Sequence, residues 1–148
     1  ANADCARVPG ALGAGAALVL APRLAMADAK MVADEIKKVY ADKAMTSGKI
    51  KLDVPQIAEN GLVVPISIDV ESPMTDADYV KAVHVYADGN PLPQICSFRF
   101  TPDCGKASAS TRMRLAQTQN IIAIAEMSNG SLFTTKAEVK VTIGGCGG

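Results

Sequence analysis

From Ile50 onward the chain switches sides at every residue, and this alternation limits its fold more than any other feature. Ile50 and Leu52 alternate with Lys49, Lys51 and Asp53, and Val64, Ile66, Ile68 and Val70 alternate with Pro65, Ser67 and Asp69. Successive side chains of an extended strand point to opposite faces, so this period of two predicts strands with one buried face. Further strands are expected at Tyr79–Tyr86, Ile95–Phe100, Lys106–Leu115, Ile121–Met127 and Leu132–Ile143. Between them stand Ser72-Pro73-Met74, Asp88-Gly89-Asn90-Pro91, Pro102-Asp103-Cys104-Gly105 and Ser128-Asn129-Gly130, where glycine, proline and Asx side chains favour turns. About seven short strands at this spacing imply an antiparallel β-sandwich of immunoglobulin type.

One segment follows a different period. Met31, Val32, Ile36, Val39 and Tyr40 recur at helical spacing, with Asp28 available as a cap and Gly48 as a stop, which predicts one helix over Asp28–Ala44. The expected fold class is therefore mainly β: an immunoglobulin-like antiparallel sandwich with an N-terminal helix and a flexible C-terminal arm. Residues 28–143 form the helix and sandwich domain, 144–148 the arm, and 1–27 read as an export signal remnant.

That last reading rests on Ala11–Ala21, a short apolar run, followed by Pro22-Arg23-Leu24 and then Ala25-Met26-Ala27, which fits a small-x-small cleavage site. The run is shorter than the about 20 residues needed to span a bilayer. Cys5 precedes it, whereas a lipidation cysteine would follow it. Export without a membrane anchor is the expectation; retention of the segment as an amphipathic helix is the alternative.

The sequence ends Ile143-Gly144-Gly145-Cys146-Gly147-Gly148. Glycine has no Cβ and visits both backbone hands, so four glycines around one cysteine predict an unhindered tether. From Ile143 to Cys146 the chain can reach roughly 10 Å beyond the body. A free thiol titrates near about 8.5, so only a few per cent is thiolate at neutral pH unless a cation, a helix N-terminus or a metal lowers its pKa. The arm offers none of these, with Lys140 six residues back. Such a thiol suits cargo better than catalysis, and its activation must come from a partner. A frayed glycine tail with an incidental cysteine is the plainer alternative.

Composition excludes several function classes. With 15 basic and 15 acidic side chains the formal net charge is zero, and there is no Trp, so nucleic acid is not an expected partner. Four cysteines and one histidine show no C-x-x-C or paired-histidine spacing, so no metal or cofactor is expected. Cys96 shares a face with Phe98 and Phe100 and reads as a core thiol. If Ile95–Phe100 and Lys106–Leu115 form a hairpin, Cys104 at its tip stands beyond the about 7 Å between Cα atoms that a disulfide allows, so no Cys96–Cys104 bridge is expected. Cys104 is a candidate for an intermolecular disulfide or a solvated turn residue. His84 lies in a strand and reads as structural, and no serine or aspartate is placed as a triad partner. Arg112 and Arg114 share one face of a strand, where they could meet an oxyanion, an acidic surface or solvent. Asp76 and Asp78 read as a helix or turn cap.

The segment Val139–Gly148 resembles the end of the SoxY family, sulfur-carrier subunits of the thiosulfate-oxidising Sox system. Ser72–Val80 and Ser110–Asn120 also resemble that family, so the resemblance covers nearly everything from Lys49 onward. It implies a periplasmic, non-enzymatic carrier subunit paired with a SoxZ-like second sandwich. It also implies that Cys146 is joined to thiosulfate by a SoxXA-like haem protein. A SoxB-like hydrolase and a sulfane dehydrogenase-like enzyme would then act on the bound sulfur, with Gly144, Gly145, Gly147 and Gly148 keeping the arm slim and mobile. The twin-arginine export signal implied by the resemblance is not present in residues 1–27, which leaves the export route open. Two rivals remain: a ubiquitin-like carrier that loads a terminal Gly-Gly carboxylate, and a secreted structural sandwich cross-linked through its tail cysteine.

Overall fold

The computed structural model describes residues 26–143. Helix α1 spans Ala29–Tyr40, and its start is set by Asp28, whose carboxylate accepts the Met31 amide at 2.8 Å. This bond satisfies one of the donors that a first turn leaves without a partner. Lys37 and Lys38 lie in the last turn, where positive charge complements the helix dipole. Val32, Ile36 and Tyr40 make an apolar stripe against Tyr86, Ile124 and Leu132, on the outer face of a sheet. The helix is one turn shorter than the spacing predicts. It stops at Ala41, where φ is 53°, and Gly48, at φ 121°, instead lies in the connection after the first strand.

Nine strands follow: β1 Met45–Ser47, β2 Ile50–Asp53, β3 Ile57–Ala58, β4 Val64–Val70, β5 Val80–Ala87, β6 Gln94–Arg99, β7 Ala107–Met113, β8 Gln119–Met127 and β9 Leu132–Val141. The large sheet runs β1-β9-β8-β5-β6, with β3 also on β9; the small sheet runs β2-β4-β7. The architecture is the expected immunoglobulin-like sandwich with one helix. All seven strands expected from the alternation are present, and β1 and β3 are additions. Both lie parallel to β9, Met45 opposite Leu132 and Ala58 opposite Val141. Together they cover the two ends of an edge, Leu132–Thr134 and Lys140–Val141, that would otherwise present unpaired backbone groups.

The core fills the space between the sheets. Toward one end Val64, Ile66, Val85, Leu115, Ile121 and Val139 pack together, and toward the other Ile68, Val70, Val80, Val83, Ala123 and Met127. The two central strands, β5 and β8, also bury Tyr86 and Ile124 on the side facing α1.

The hairpin between Ile95–Phe100 and Lys106–Leu115 does not form. β6 pairs with β5 in the large sheet, whereas β7 pairs with β4 in the small one, from Val64 opposite Met113 to Val70 opposite Ala107. The connection passes between sheets through a 3-10 turn at Pro102–Cys104. Alternation fixes which face a strand buries but not which sheet it joins, and seven consecutive pairs with β4 decide the matter. Cys96 and Cys104 are both free, although the hairpin from which their separation was argued is absent.

One polar side chain is buried among the described residues, and it ties three segments together. The Gln119 carbonyl oxygen accepts the Gly89 amide at 2.9 Å, and its amide nitrogen donates to the Asn90 side chain and the Gln117 carbonyl, each at 2.9 Å. Asn90 in turn donates to the Arg114 carbonyl at 2.8 Å and accepts the Ala116 amide at 2.9 Å. Its own carbonyl accepts the amide of Ala27, which is 3% exposed. A Cβ at Gly89 would stand 2.8 Å from Gln119 Cβ. Gly89→Ala is therefore expected to destabilise the fold by about 1–3 kcal/mol, the usual cost of overpacking a filled site, read as a lower urea midpoint at unchanged slope.

Candidate functional site: the root of the C-terminal segment

β9 turns Ala137, Val139 and Val141 inward and Glu138 and Lys140 outward, as the alternation predicts. The strand ends at Val141, so Ile143 does not join the inward row but is 68% exposed. The chain is nevertheless held to this point. Thr142 donates its amide to the Ala58 carbonyl at 3.1 Å and its hydroxyl to the Glu59 carbonyl at 3.0 Å, and the Ile143 carbonyl accepts the Gly61 amide at 2.8 Å. Gly61 also accepts the Leu115 amide at 2.8 Å, so one residue joins the end of β9 to the segment after β7. On the other side the Val141 amide donates to the Thr118 hydroxyl at 2.9 Å. Ile57, Leu62 and Val63, on β3 and the segment that follows it, are exposed, as is Ile143. Cys146 and its glycines Gly144, Gly145, Gly147 and Gly148 lie outside the described residues, as do residues 1–25 of the export segment.

The other residues singled out from the sequence are spread over the body. Cys96 is half-buried against the core and burial pushes its thiol pKa up. Cys104 is exposed at the end of the 3-10 turn, where its sulfur accepts the Thr101 amide at 3.4 Å. His84 Nδ1 pairs with the Ser97 hydroxyl at 2.7 Å, and the Tyr40 ring lies 6.2 Å away. Burial lowers the imidazole pKa; Glu126 pulls it back up and Arg99 adds to the lowering. Ser97 in turn accepts the Gln94 side-chain amide at 2.7 Å, and no carboxylate among the described residues is hydrogen-bonded to this pair. The turn at 75–78 is closed by Thr75, whose hydroxyl accepts the Asp78 amide at 3.1 Å, so neither Asp76 nor Asp78 supplies a side-chain cap there.

Arg112 and Arg114 are exposed, and among the described residues no carboxylate lies within 4.0 Å of either. No group of three His, Cys, Asp or Glu side chains able to hold a metal occurs among the described residues. No helix there is long and apolar enough to cross a membrane. Sequence reasoning missed Gly61, Asn90, Thr118 and Gln119, because their partners come from distant turns. The one available signal was the glycine and Asx chemistry of Asn60-Gly61 and Gly89-Asn90.

The fold is that of a two-sheet β-sandwich with one N-terminal helix, whose last strand is held up to Ile143. Residues 36–146 match the family described as sulfur oxidation protein SoxY, and the chain belongs to that family. No curated protein matches. Among solved structures, the sulfur carrier protein SoxY from Chlorobium limicola f. thiosulfatophilum is similar, with 29% identity and a TM-score of 0.65 over 78% of this chain and 100% of that one. The superoxide reductase (neelaredoxin) from Ignicoccus hospitalis shares 16% identity at a TM-score of 0.58, covering 78% and 94%. A putative superoxide reductase from Thermotoga maritima shares 18% at 0.54, covering 62% and 84%. The last two likenesses are of fold alone.

Two outcomes follow from the side chains described. Cys104 should be alkylated about tenfold faster than Cys96 in the folded protein, since exposure and thiolate fraction set the rate; peptide mass spectrometry after a short iodoacetamide pulse measures both. His84 is the single histidine, and its folded pKa lies below the ordinary 6.5. The unfolded state therefore binds the proton first, and stability should be full above pH 6.5 and fall as pH drops through it. Thermal unfolding between pH 8 and 5.5 should show this slope, and His84→Gln should flatten it.

Proposed function

We propose that this protein is a sulfur carrier of the Sox type, exported to the periplasm, which holds thiosulfate-derived intermediates covalently on Cys146 and presents them to separate enzymes. The observation that carries this reading is that the family match runs through residue 146, the arm cysteine itself, on a body that anchors the chain at Ile143. Loading joins the Cys146 thiolate to the outer sulfur of thiosulfate with loss of two electrons to a haem acceptor of the SoxXA kind, giving a Cys–S–S–SO3 anion. Water then cleaves the terminal S–S bond at a SoxB-like hydrolase, releasing sulfate and leaving a persulfide. A sulfane dehydrogenase-like enzyme oxidises the remaining sulfur. A SoxZ-like sandwich completes the carrier, and the chain itself catalyses none of these steps.

Covalent attachment turns successive bimolecular captures into delivery at a raised local concentration. Gly144, Gly145, Gly147 and Gly148 let the arm enter a narrow channel. Cys104, exposed at its turn, is the candidate for an intermolecular disulfide.

Intact mass of the protein isolated from the periplasm should show additions of about 32 Da or about 112 Da that reductant removes. Cys146→Ser should abolish these additions and thiosulfate-dependent turnover. Bulky residues at Gly145 and Gly147 together should impair turnover while the far-UV spectrum stays unchanged. A permanent disulfide dimer without adducts would favour the cross-linked structural reading, and an adduct on Gly148 a thiocarboxylate carrier.

A further inference from the structure

We propose that Arg112 and Arg114 form a resting site on the body for the sulfonate end of cargo carried on Cys146 of the same chain. This rests on the carrier reading above and adds to it a place where loaded cargo waits between enzymes.

The two arginines edge a shallow, open depression of about 380 Å³ where β7 meets the loop before β6 and the start of that strand, with Leu92, Ile95 and Met113 as its apolar wall. The depression lies close to the arm root through two backbone bonds. Gly61 donates to the Ile143 carbonyl and accepts from the Leu115 amide, each at 2.8 Å. With one residue's backbone between them, that oxygen and that nitrogen stand within about 9 Å of each other, and Leu115 directly follows Arg114. Cys146, three residues beyond Ile143, reaches roughly 10 Å before its side chain and cargo are added. An arginine side chain spans most of what remains.

The chemistry of the depression fits a sulfonate. A guanidinium offers a planar fork of N–H donors to two oxygens of an oxyanion, and such charge-assisted bonds are about twice as strong as neutral ones. Neither arginine has a carboxylate within 4.0 Å among the described residues, so the fork is not already taken by one. The Asn90 side chain holds the Arg114 carbonyl at 2.8 Å and the Ala116 amide at 2.9 Å, which fixes the backbone that bears Arg114. Leu92, 72% exposed, gives the cargo's sulfur atoms an apolar surface. Lys140 is nearer in sequence, but it shares the outward face of β9 with Glu138 and offers a single hydrated charge. Tethered cargo has a millimolar effective concentration, so a millimolar intrinsic affinity keeps it about half docked. Docking this weak still lets an enzyme take the arm.

The test loads the full-length chain chemically. In a Cys5→Ser/Cys104→Ser background, tetrathionate reacts with the Cys146 thiolate to give Cys–S–S–SO3 anion and free thiosulfate, and peptide mass locates the adduct. The readouts are the Nε–Hε NMR signals of the two arginines and the 15N relaxation of the Gly147 and Gly148 amides. Loading should shift both arginine signals and raise the transverse relaxation of the arm amides about twofold. Added salt should reverse the change. Arg112→Gln/Arg114→Gln should abolish it, Lys140→Gln should keep it, and a neutral methyl disulfide on Cys146 should not produce it. Equal relaxation in loaded wild type and the double arginine variant, or the same response from the neutral adduct, overturns the site. Because tetrathionate needs no Sox enzyme, this result is separate from the carrier reading, which fails instead if Cys146→Ser leaves thiosulfate turnover intact.

Discussion

The end of β9 is pinned from both sides, and the rest of the molecule is arranged around that grip. Val141 is fixed by Thr118, Thr142 by Ala58 and Glu59, and Ile143 by Gly61. Each bond is worth about 1 kcal/mol net, so no single one holds the strand. Together they prevent fraying at the place where a strand end would ordinarily loosen. β3 takes part through only two residues, yet it supplies the backbone partners that β8 cannot, because β8 already occupies the other edge. The body thereby fixes the position of Ile143, the last residue described.

Behind the end of β9, the buried Gln119 and its partner Asn90 link the large sheet to the segment after β7 without any covalent bridge. A fully satisfied polar network inside a small sandwich rigidifies that end of the core, and it would be costly if half satisfied. It also explains why a turn with the sequence Asp88-Gly89-Asn90 is so tightly placed. Asp88 binds the amide and side chain of Asn120, Gly89 lies against Gln119, and Asn90 reaches across to Ala116.

Much of this was legible in the sequence where the signal was local. The alternation of Val64–Val70 gave the strand to the residue, the parity of Cys96, Phe98 and Phe100 gave their inward tilt, and Asp28 gave the helix start. What could not be read was long-range. β1 and β3 are three and two residues long with no alternation to speak of, and they exist because β9 offers them an edge. The same limit misled the pairing of β6 with β7, which are close in sequence but lie in opposite sheets. The anchoring of β9 followed from its pattern, whereas Gly61 and Thr118 entered only through the fold. That Arg112 and Arg114 share a face was visible from spacing, but the lack of a carboxylate near them was not.

The docking of Ala27 carries a consequence for how fast the chain can be cut beside it. Its amide is tied to the Asn90 carbonyl, its side chain is covered, and the next residue, Asp28, is engaged in capping α1. Asp28 is exposed whereas Ala27 is buried and tied to the loop before β6, so a protease acting at the peptide between them would first have to lift Ala27 out of the fold. Cleavage at that bond is therefore slower in the folded protein than in the unfolded chain, by whatever it costs to undock one residue.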